Sequence, residues 1–151
     1  MLMEGWYAII AFLVGFTLAQ LWKFVRGWIT GEMFQEAKSW QSAIGYVMRS
    51  GGMPSGHTAS FTAATVTLGV IYGFGSGVFA LAVVSLIIVV YDATHVRYAV
   101  GEQGKALNKL LKQAGEPELP LVEGHTVAQV AVGMVIGVVV GVIFAMILGK
   151  I

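Results

Sequence analysis

The stretch that decides the fold runs from Thr58 to Tyr91 and reads TASFTAATVTLGVIYGFGSGVFALAVVSLIIVVY. It contains no Asp, Glu, Lys or Arg along its whole length, and a helix crosses the apolar core of a bilayer with about 20 residues. The run Gly73-Phe74-Gly75-Ser76-Gly77 interrupts it, and glycines at this density favour a turn over a continuous helix. The stretch therefore predicts two consecutive membrane spans, at about 57–73 and 77–92.

Two further apolar stretches flank this pair. One is free of charge from Gly5 to Trp22, and the other from Thr126 to Gly149; they predict spans at about 5–24 and 126–149. The 151 residues are 57% hydrophobic and only 11% charged, whereas a soluble domain carries roughly 25% charged residues. The chain is therefore expected to be a single membrane domain over residues 1–151. Its predicted fold class is an all-α, polytopic integral membrane helical bundle of about four spans plus interfacial helices.

The two polar connections, 29–50 and 92–124, set the expected orientation. The first mixes charged with aromatic and aliphatic residues, which is typical of an interfacial helix. The second is predicted to continue span three as a helix before turning around Gly115, Pro117 and Pro120. Eight of the nine basic residues lie in or beside these connections. The positive-inside rule then predicts that both connections are cytoplasmic and both termini face outward, across the plasma membrane if the source is prokaryotic.

Composition also limits the kinds of ligand and partner that the chain is expected to bind. A net charge of +1 gives no indication of nucleic-acid binding, and the absence of Cys excludes disulfides and thiolate metal sites. No metal or cofactor is expected. Span four repeats Gly133, Gly137 and Gly141, a spacing that lets helix backbones approach closely in lipid. These glycines predict either packing within one chain or the seam of a homodimer.

The segment from Gly51 to Thr58 carries the clearest chemistry. Glycines and a proline lead into span two, with Ser55, Gly56 and His57 at its first turn. A helix N-terminus presents free N–H groups and the positive end of the helix dipole, which attract anions. The alternative is an ordinary Ser/Thr cap with an incidental histidine.

Gly-His-Thr occurs a second time, as Gly124-His125-Thr126 at the start of span four. Two such helix starts on one membrane side predict that His57 and His125 converge on one anion site with acid–base or nucleophilic capacity. The end of span three adds Asp92 and Arg97. The Arg97 fork suits phosphate oxygens, and Asp92 either orients a histidine or holds Arg97 in a structural pair. Lys23 reaches the same level, as a phosphate ligand or as a snorkelling charge.

Pro54-Ser55-Gly56-His57, followed much later by Gly124-His125-Thr126, resembles the type 2 phosphatidic acid phosphatase and vanadium haloperoxidase superfamily. A longer set of residues looks like its divergent, short membrane branch, over roughly residues 15 to 145. That set is Gly51 to His57, Tyr91-Asp92-Ala93 with Val96-Arg97, Gly101 with Gln103, Leu107-Asn108 and Gly124-His125-Thr126.

The resemblance implies roles for particular residues. Lys23, Ser55 and Gly56 would bind phosphate, His57 would protonate the leaving group, and His125 would be the nucleophile that forms a phosphohistidine. The chain departs from the pattern at Gln129, where the superfamily has Asp and the divergent branch usually has Glu. Gln129 would then orient His125 without supplying a charge. No Arg precedes His125 at the expected spacing, so Arg97 or Arg49 would substitute.

Three functions remain open from the sequence. The first is a metal-independent lipid phosphatase-like protein that hydrolyses or binds a lipid phosphate monoester or pyrophosphate at the cytoplasmic face, with His57, His125 and Asp92 as the catalytic set. The second is a non-catalytic protein that binds lipid headgroups or acts as a scaffold. The third is a small transporter, with paired helix ends around a central site.

The charge distribution predicts the sidedness of the chain. Because there is no native cysteine, Ser39→Cys and Ser76→Cys each give a single labelling site. We expect a membrane-impermeant maleimide to label Ser76→Cys on intact cells, and Ser39→Cys only after permeabilisation. Labelling of Ser39→Cys from outside would contradict the orientation.

Overall fold

The computed structural model describes residues 4–33, 45 and 52–150. The described residues form five α-helices and one π-helical turn, in the order α1 (Glu4–Thr30), α2 (Gly56–Tyr72), α3 (Gly77–Tyr91), the π-turn (Asp92–Val96), α4 (Arg97–Ala114) and α5 (Val127–Ile147). The predicted interfacial helix within 29–50, including Arg49, lies largely outside the described residues.

Three helical stretches are long and apolar enough to cross a membrane: Glu4–Thr30, Gly77–Ala114 through the π-turn, and Val127–Ile147. The remaining helix, α2, has 17 residues, or about 26 Å at 1.5 Å per residue. One end of α2 lies beside α1, since the Tyr72 hydroxyl is 3.9 Å from the position of a Cβ at Gly5. The predicted all-α membrane helical bundle is confirmed.

The short helix α2 lies at the centre and packs against α1, α3 and α5. Its buried residues are small or hydroxylated (Gly56, Thr58, Ala59, Ser60, Thr62, Ala63, Thr65, Thr67 and Gly69). Two of the buried hydroxyls donate back to the helix itself: Thr65 Oγ1 to the Phe61 carbonyl at 2.7 Å and Thr67 Oγ1 to the Ala63 carbonyl at 2.8 Å. These two side chains satisfy their polar groups within the helix, which lowers the cost of burying α2 among the other helices. Thr62 Oγ1 has no hydrogen-bond partner among the described residues.

The glycine stripe of α5 packs against α2 with the two helices parallel. A Cβ at Gly133 would lie 2.6 Å from the Ser55 carbonyl oxygen, one at Gly137 2.5 Å from that of Ala59, and one at Gly141 2.5 Å from Val66 Cβ. Only a residue without a side chain allows this approach. The alternative of packing within one chain accounts for these three glycines, because α2 of the same chain occupies that face.

A methyl group in this contact is expected to destabilise the bundle. Gly137→Ala forces its Cβ against both the Ala59 carbonyl and Thr62, and overpacking of this kind costs about 1–3 kcal/mol. We expect a lower midpoint of thermal unfolding in detergent. The matched control is Gly77→Ala, where an added Cβ meets nothing within 4 Å; equal midpoints for the two variants would contradict the packing.

Candidate functional site

The parallel packing of α2 and α5 brings their N-termini to one end of the bundle, where α3 also ends. A cavity of about 250 Å³ lies at this end. Four side chains that carry chemistry line it, together with Ile88, Val89 and Ala93; the four are His57, Asp92, Arg97 and His125. We call it the histidine cavity. The structure thus brings both Gly-His-Thr segments, and the acidic and basic residues that follow α3, to the same place.

The π-turn sets the positions of Asp92 and Arg97. The Arg97 backbone N–H donates to the Asp92 carbonyl, five residues back, and Arg97 Nε donates to Asp92 Oδ2 at 2.5 Å. In an α-helix of 3.6 residues per turn, residues five apart point in well-separated directions, whereas a wider i→i+5 turn brings them to one face. The extra residue therefore creates the Asp92–Arg97 pair and directs both side chains into the histidine cavity.

His125 reaches the cavity from an extended segment, residues 119–125, which we call the strap. Its backbone N–H donates to the carbonyl of Ala93 in the π-turn at 2.9 Å. The preceding residue, Gly124, lies directly on the α4 backbone, because a Cβ there would be 2.2 Å from the Tyr98 nitrogen. The position of His125 is thus fixed by backbone contacts on both sides of its peptide.

The imidazole of His125 is buried, with 6% of its surface exposed. Burial, and then the positive charges of Lys23, His57 and Arg97, lower the pKa of His125 to about 4. Its ring is therefore neutral at pH 7, the form that can act as a nucleophile. Among the described residues, His125 Nδ1 has no hydrogen-bond partner.

His57 is the second residue of α2, and its exposed ring stands edge-on to Phe16 of α1, with ring centroids 6.3 Å apart. One side of the ring is therefore held by an apolar neighbour while the residue lines the cavity that His125 shares. An exposed imidazole can exchange protons with water, which suits the general-acid role that the resemblance implies.

Ser55 and Gly56 lie at the start of α2, as predicted, but they do not reach the histidine cavity. Ser55 is fully buried; its Oγ accepts hydrogen bonds from the Thr58 hydroxyl at 2.9 Å and the Thr58 backbone N–H at 3.4 Å. Gly56 packs against the Phe16 ring. Neither lines the histidine cavity. Their role as phosphate ligands stays a prediction, and the alternative of a serine helix cap describes the hydrogen bonds of Ser55.

Of the two remaining predicted phosphate ligands, Lys23 is described and Arg49 is not. Lys23 is 8% exposed, and its Cε lies 3.7 Å from the position of a Cβ at Gly52, in the loop that enters α2. Its charge acts on His125, although Lys23 is not among the residues that line the cavity. Lys23 therefore adds positive potential to the site from a position beside Gly52, without lining the cavity.

Gln129 is the third residue after the N-cap Thr126, and its side chain completes a capping box. Its Oε1 accepts the Thr126 backbone N–H at 2.9 Å, and its own backbone N–H donates to Thr126 Oγ1 at 3.3 Å. Because the side-chain oxygen is used in the cap and His125 Nδ1 has no partner in the described part of the chain, the predicted orienting role is not seen. The carboxylate that lies in the cavity belongs to Asp92.

Two features of the site were missed by the sequence reasoning: the π-turn and the strap. The π-turn has no compositional signal, since Asp92–Val96 reads as ordinary helix. The strap did have a signal in the sequence. Gly101, Gly104 and Asn108 lie at spacings of three and four on α4, which places them on one helix face. Glycines on that face indicate that another backbone approaches α4 closely.

Comparison with known proteins places this arrangement among membrane proteins. A family model described as the divergent PAP2 family matches residues 6–140. The uncharacterized membrane protein YuiD of Bacillus subtilis (strain 168) is 40% identical over 65 residues, which are 43% of this chain and 41% of YuiD. The match thus spans less than half of that relative's length. No solved structure matches the chain.

The depressed pKa of His125 predicts a specific pH dependence of stability. An unfolded histidine takes up a proton near pH 6.5, whereas His125 in the fold stays neutral down to about pH 4. Stability from this group is therefore fully present above about pH 6.5 and is lost as pH falls toward 4, by on the order of 3 kcal/mol. Thermal unfolding in detergent should show this loss for the wild type and for His95→Asn. The same pH dependence in His125→Asn would show that His125 is not its source.

Proposed function

The chain belongs to the divergent PAP2 family, and from that membership and the histidine cavity we propose that it is a membrane-embedded lipid phosphatase. Its substrate would be a phosphate monoester or pyrophosphate of a lipid, bound at the cytoplasmic face. The observation that carries the proposal is that His57, Arg97 and His125 line one cavity at the shared end of α2, α3 and α5.

The chemistry of the cavity suits a phosphate attached to an apolar group. Arg97 provides a guanidinium whose fork matches phosphate oxygens, and only one of its five N–H donors is used by Asp92 in the bond described above. Ile88 and Val89 form the apolar wall of the same cavity, and Ile88 is 63% exposed on the surface of α3. An opening beside exposed aliphatic residues of a membrane helix gives a lipid tail a path that does not cross water.

The proposed reaction proceeds in two steps. Neutral His125 attacks phosphorus and forms a P–N bond, while the P–O bond to the lipid breaks and the leaving oxygen takes a proton from protonated His57. Water then attacks the phosphohistidine and gives a proton to His57, and the P–N bond breaks to release phosphate. Arg97 and the nearby Lys23 charge stabilise the oxygens that gain negative charge in each transition state.

A second candidate is a protein that binds lipid phosphates without turning them over. Two observations favour it: Gln129 is engaged in a helix cap, and His125 Nδ1 has no carboxylate partner among the described residues. A nucleophilic histidine without an orienting acid is slower, since it gains neither a fixed tautomer nor a counter-charge for the imidazolium.

Phosphate release from lipid phosphates by the purified protein tests the proposal. In mixed micelles of phosphatidic acid or a polyprenyl pyrophosphate, we expect wild-type turnover, none for His125→Ala, and a loss of about 10²–10⁴ for His57→Ala, the usual contribution of a general acid. The control is His95→Ala, because His95 stacks on Tyr91 outside the cavity.

The same proteins separate the two candidates. Wild type that binds radiolabelled phosphatidic acid through Arg97, but releases no phosphate from either lipid, would overturn the enzyme in favour of the binding protein. Equal turnover by wild type and His125→Ala would exclude the phosphohistidine mechanism.

A further inference from the structure

We propose that Asn108 is a positioning residue for His125: its side-chain amide clamps the start of the strap to α4 and so holds the imidazole in the histidine cavity. The role of His125 rests on the proposed function, but the clamp is a feature of the fold. Asn108 lies beyond the cavity, three turns of α4 from Arg97, and it does not touch the reacting groups.

The clamp is a two-point contact with backbone. Asn108 Nδ2 donates to the Leu119 carbonyl at 2.9 Å, and Asn108 Oδ1 accepts the Leu119 N–H at 2.8 Å. Asn108 is 8% exposed, so water competes poorly for these bonds. The paired donor and acceptor of an amide match the N–H and C=O of one residue, as a neighbouring β-strand would.

From this clamp the strap runs back along the glycine face of α4 toward the cavity. A Cβ at Gly104 would lie 2.8 Å from Leu121 Cδ2, and one at Gly101 3.3 Å from the Val122 carbonyl oxygen. Gly124 then lies on the Tyr98 backbone, and the His125 N–H reaches the Ala93 carbonyl. Each step toward the site is thus a backbone contact that a side chain on α4 would block.

The strap is close to fully extended between its two end contacts. Six residue steps from Leu119 to His125 reach at most about 20 Å when fully extended. Asn108 and Ala93, which make the contacts at its two ends, are fifteen residues apart. This separation is about 20 Å along the helix axis, since α-helical residues rise 1.5 Å each and the π-turn shortens the stretch. A chain this close to its full extension transmits a displacement at one end to the other, so loss of the clamp moves His125 without any change in the cavity itself.

The reactivity of His125 toward diethyl pyrocarbonate measures its position without requiring turnover. The reagent acylates neutral imidazole, and the chain has three histidines, which mass spectrometry of separate peptides resolves. We expect His125 to react slowly relative to exposed His95 in the wild type, and about tenfold faster in Asn108→Ala, the change in local opening expected when two buried hydrogen bonds are lost. Val140→Ala removes buried bulk from the bundle core away from the strap and is expected to leave the ratio unchanged.

The variant Asn108→Asp tests the clamp within one folded protein. A protonated carboxyl has one donor and one acceptor, like the amide, whereas a carboxylate has acceptors only. Burial raises the pKa of such a carboxyl. We therefore expect His125 to be protected at about pH 5.5 and reactive at about pH 8, each compared with the wild type at the same pH.

Two outcomes would overturn the inference: an unchanged His125 to His95 ratio in folded Asn108→Ala, or a ratio in Asn108→Asp that does not depend on pH. If Asn108→Ala does not fold, the Asp variant decides alone. Where lipid phosphate is hydrolysed, the clamp predicts a lower kcat at nearly constant KM. If the ratio changes as expected and no protein releases phosphate, the clamp stands and the phosphatase proposal fails.

Discussion

The close parallel contact between α2 and α5 is the constraint on which the rest of the bundle depends. In lipid there is no hydrophobic force to drive two helices together, so their association relies on close van der Waals packing and on satisfied polar groups. The glycines of α5 let its backbone approach the Ala59 carbonyl, and the Ser55 N–H at the start of α2 donates to the Gln129 carbonyl at 3.1 Å. Both contacts require the two helices to run in the same direction and in this register.

Parallel helices place two N-termini side by side, and this decides the electrostatics of that end of the bundle. Each N-terminus carries the positive end of a helix dipole, and Lys23 and Arg97 add formal charges, of which Arg97 is partly balanced by Asp92. Burial first, and then the charges of Lys23, His57 and Arg97, lower the pKa of His125. The end that holds an uncharged imidazole is therefore also the end that attracts an anion.

The helices could be predicted from the sequence because charged residues and glycines mark where they begin and end. Spans predicted at 57–73 and 77–92 correspond to Gly56–Tyr72 and Gly77–Tyr91, since Gly73 takes a positive φ of 89° that ends α2. The convergence of the histidines followed from the repeated Gly-His-Thr, once both segments were placed at helix starts on one membrane side.

Details within the site could not be predicted to the same degree. The π-turn depends on one extra residue in a continuous helical sequence, which leaves the composition of Asp92–Val96 unchanged. Ser55 was assigned to phosphate because the resemblance puts it there, whereas helix geometry uses its hydroxyl as a cap. Thr126-x-x-Gln129 does match the sequence pattern of a capping box, so the helix-capping role of Gln129 could have been predicted. It was missed because the resemblance has an acid at this position and directed attention to His125.

Among the described residues no acid bonds to His125 Nδ1, and this, together with the low pKa of the ring, bears on which half of the proposed reaction is difficult. An imidazole with a pKa of about 4 is a weaker nucleophile than an ordinary histidine, so forming the P–N bond is slower. A weakly basic nitrogen is, by the same reasoning, a better leaving group when water attacks the phosphohistidine. Backbone contacts from Gly124 and Ala93 hold the ring in place, but they offer no charge to an imidazolium. In the proposed mechanism we therefore expect breakdown of the intermediate to be easier than its formation.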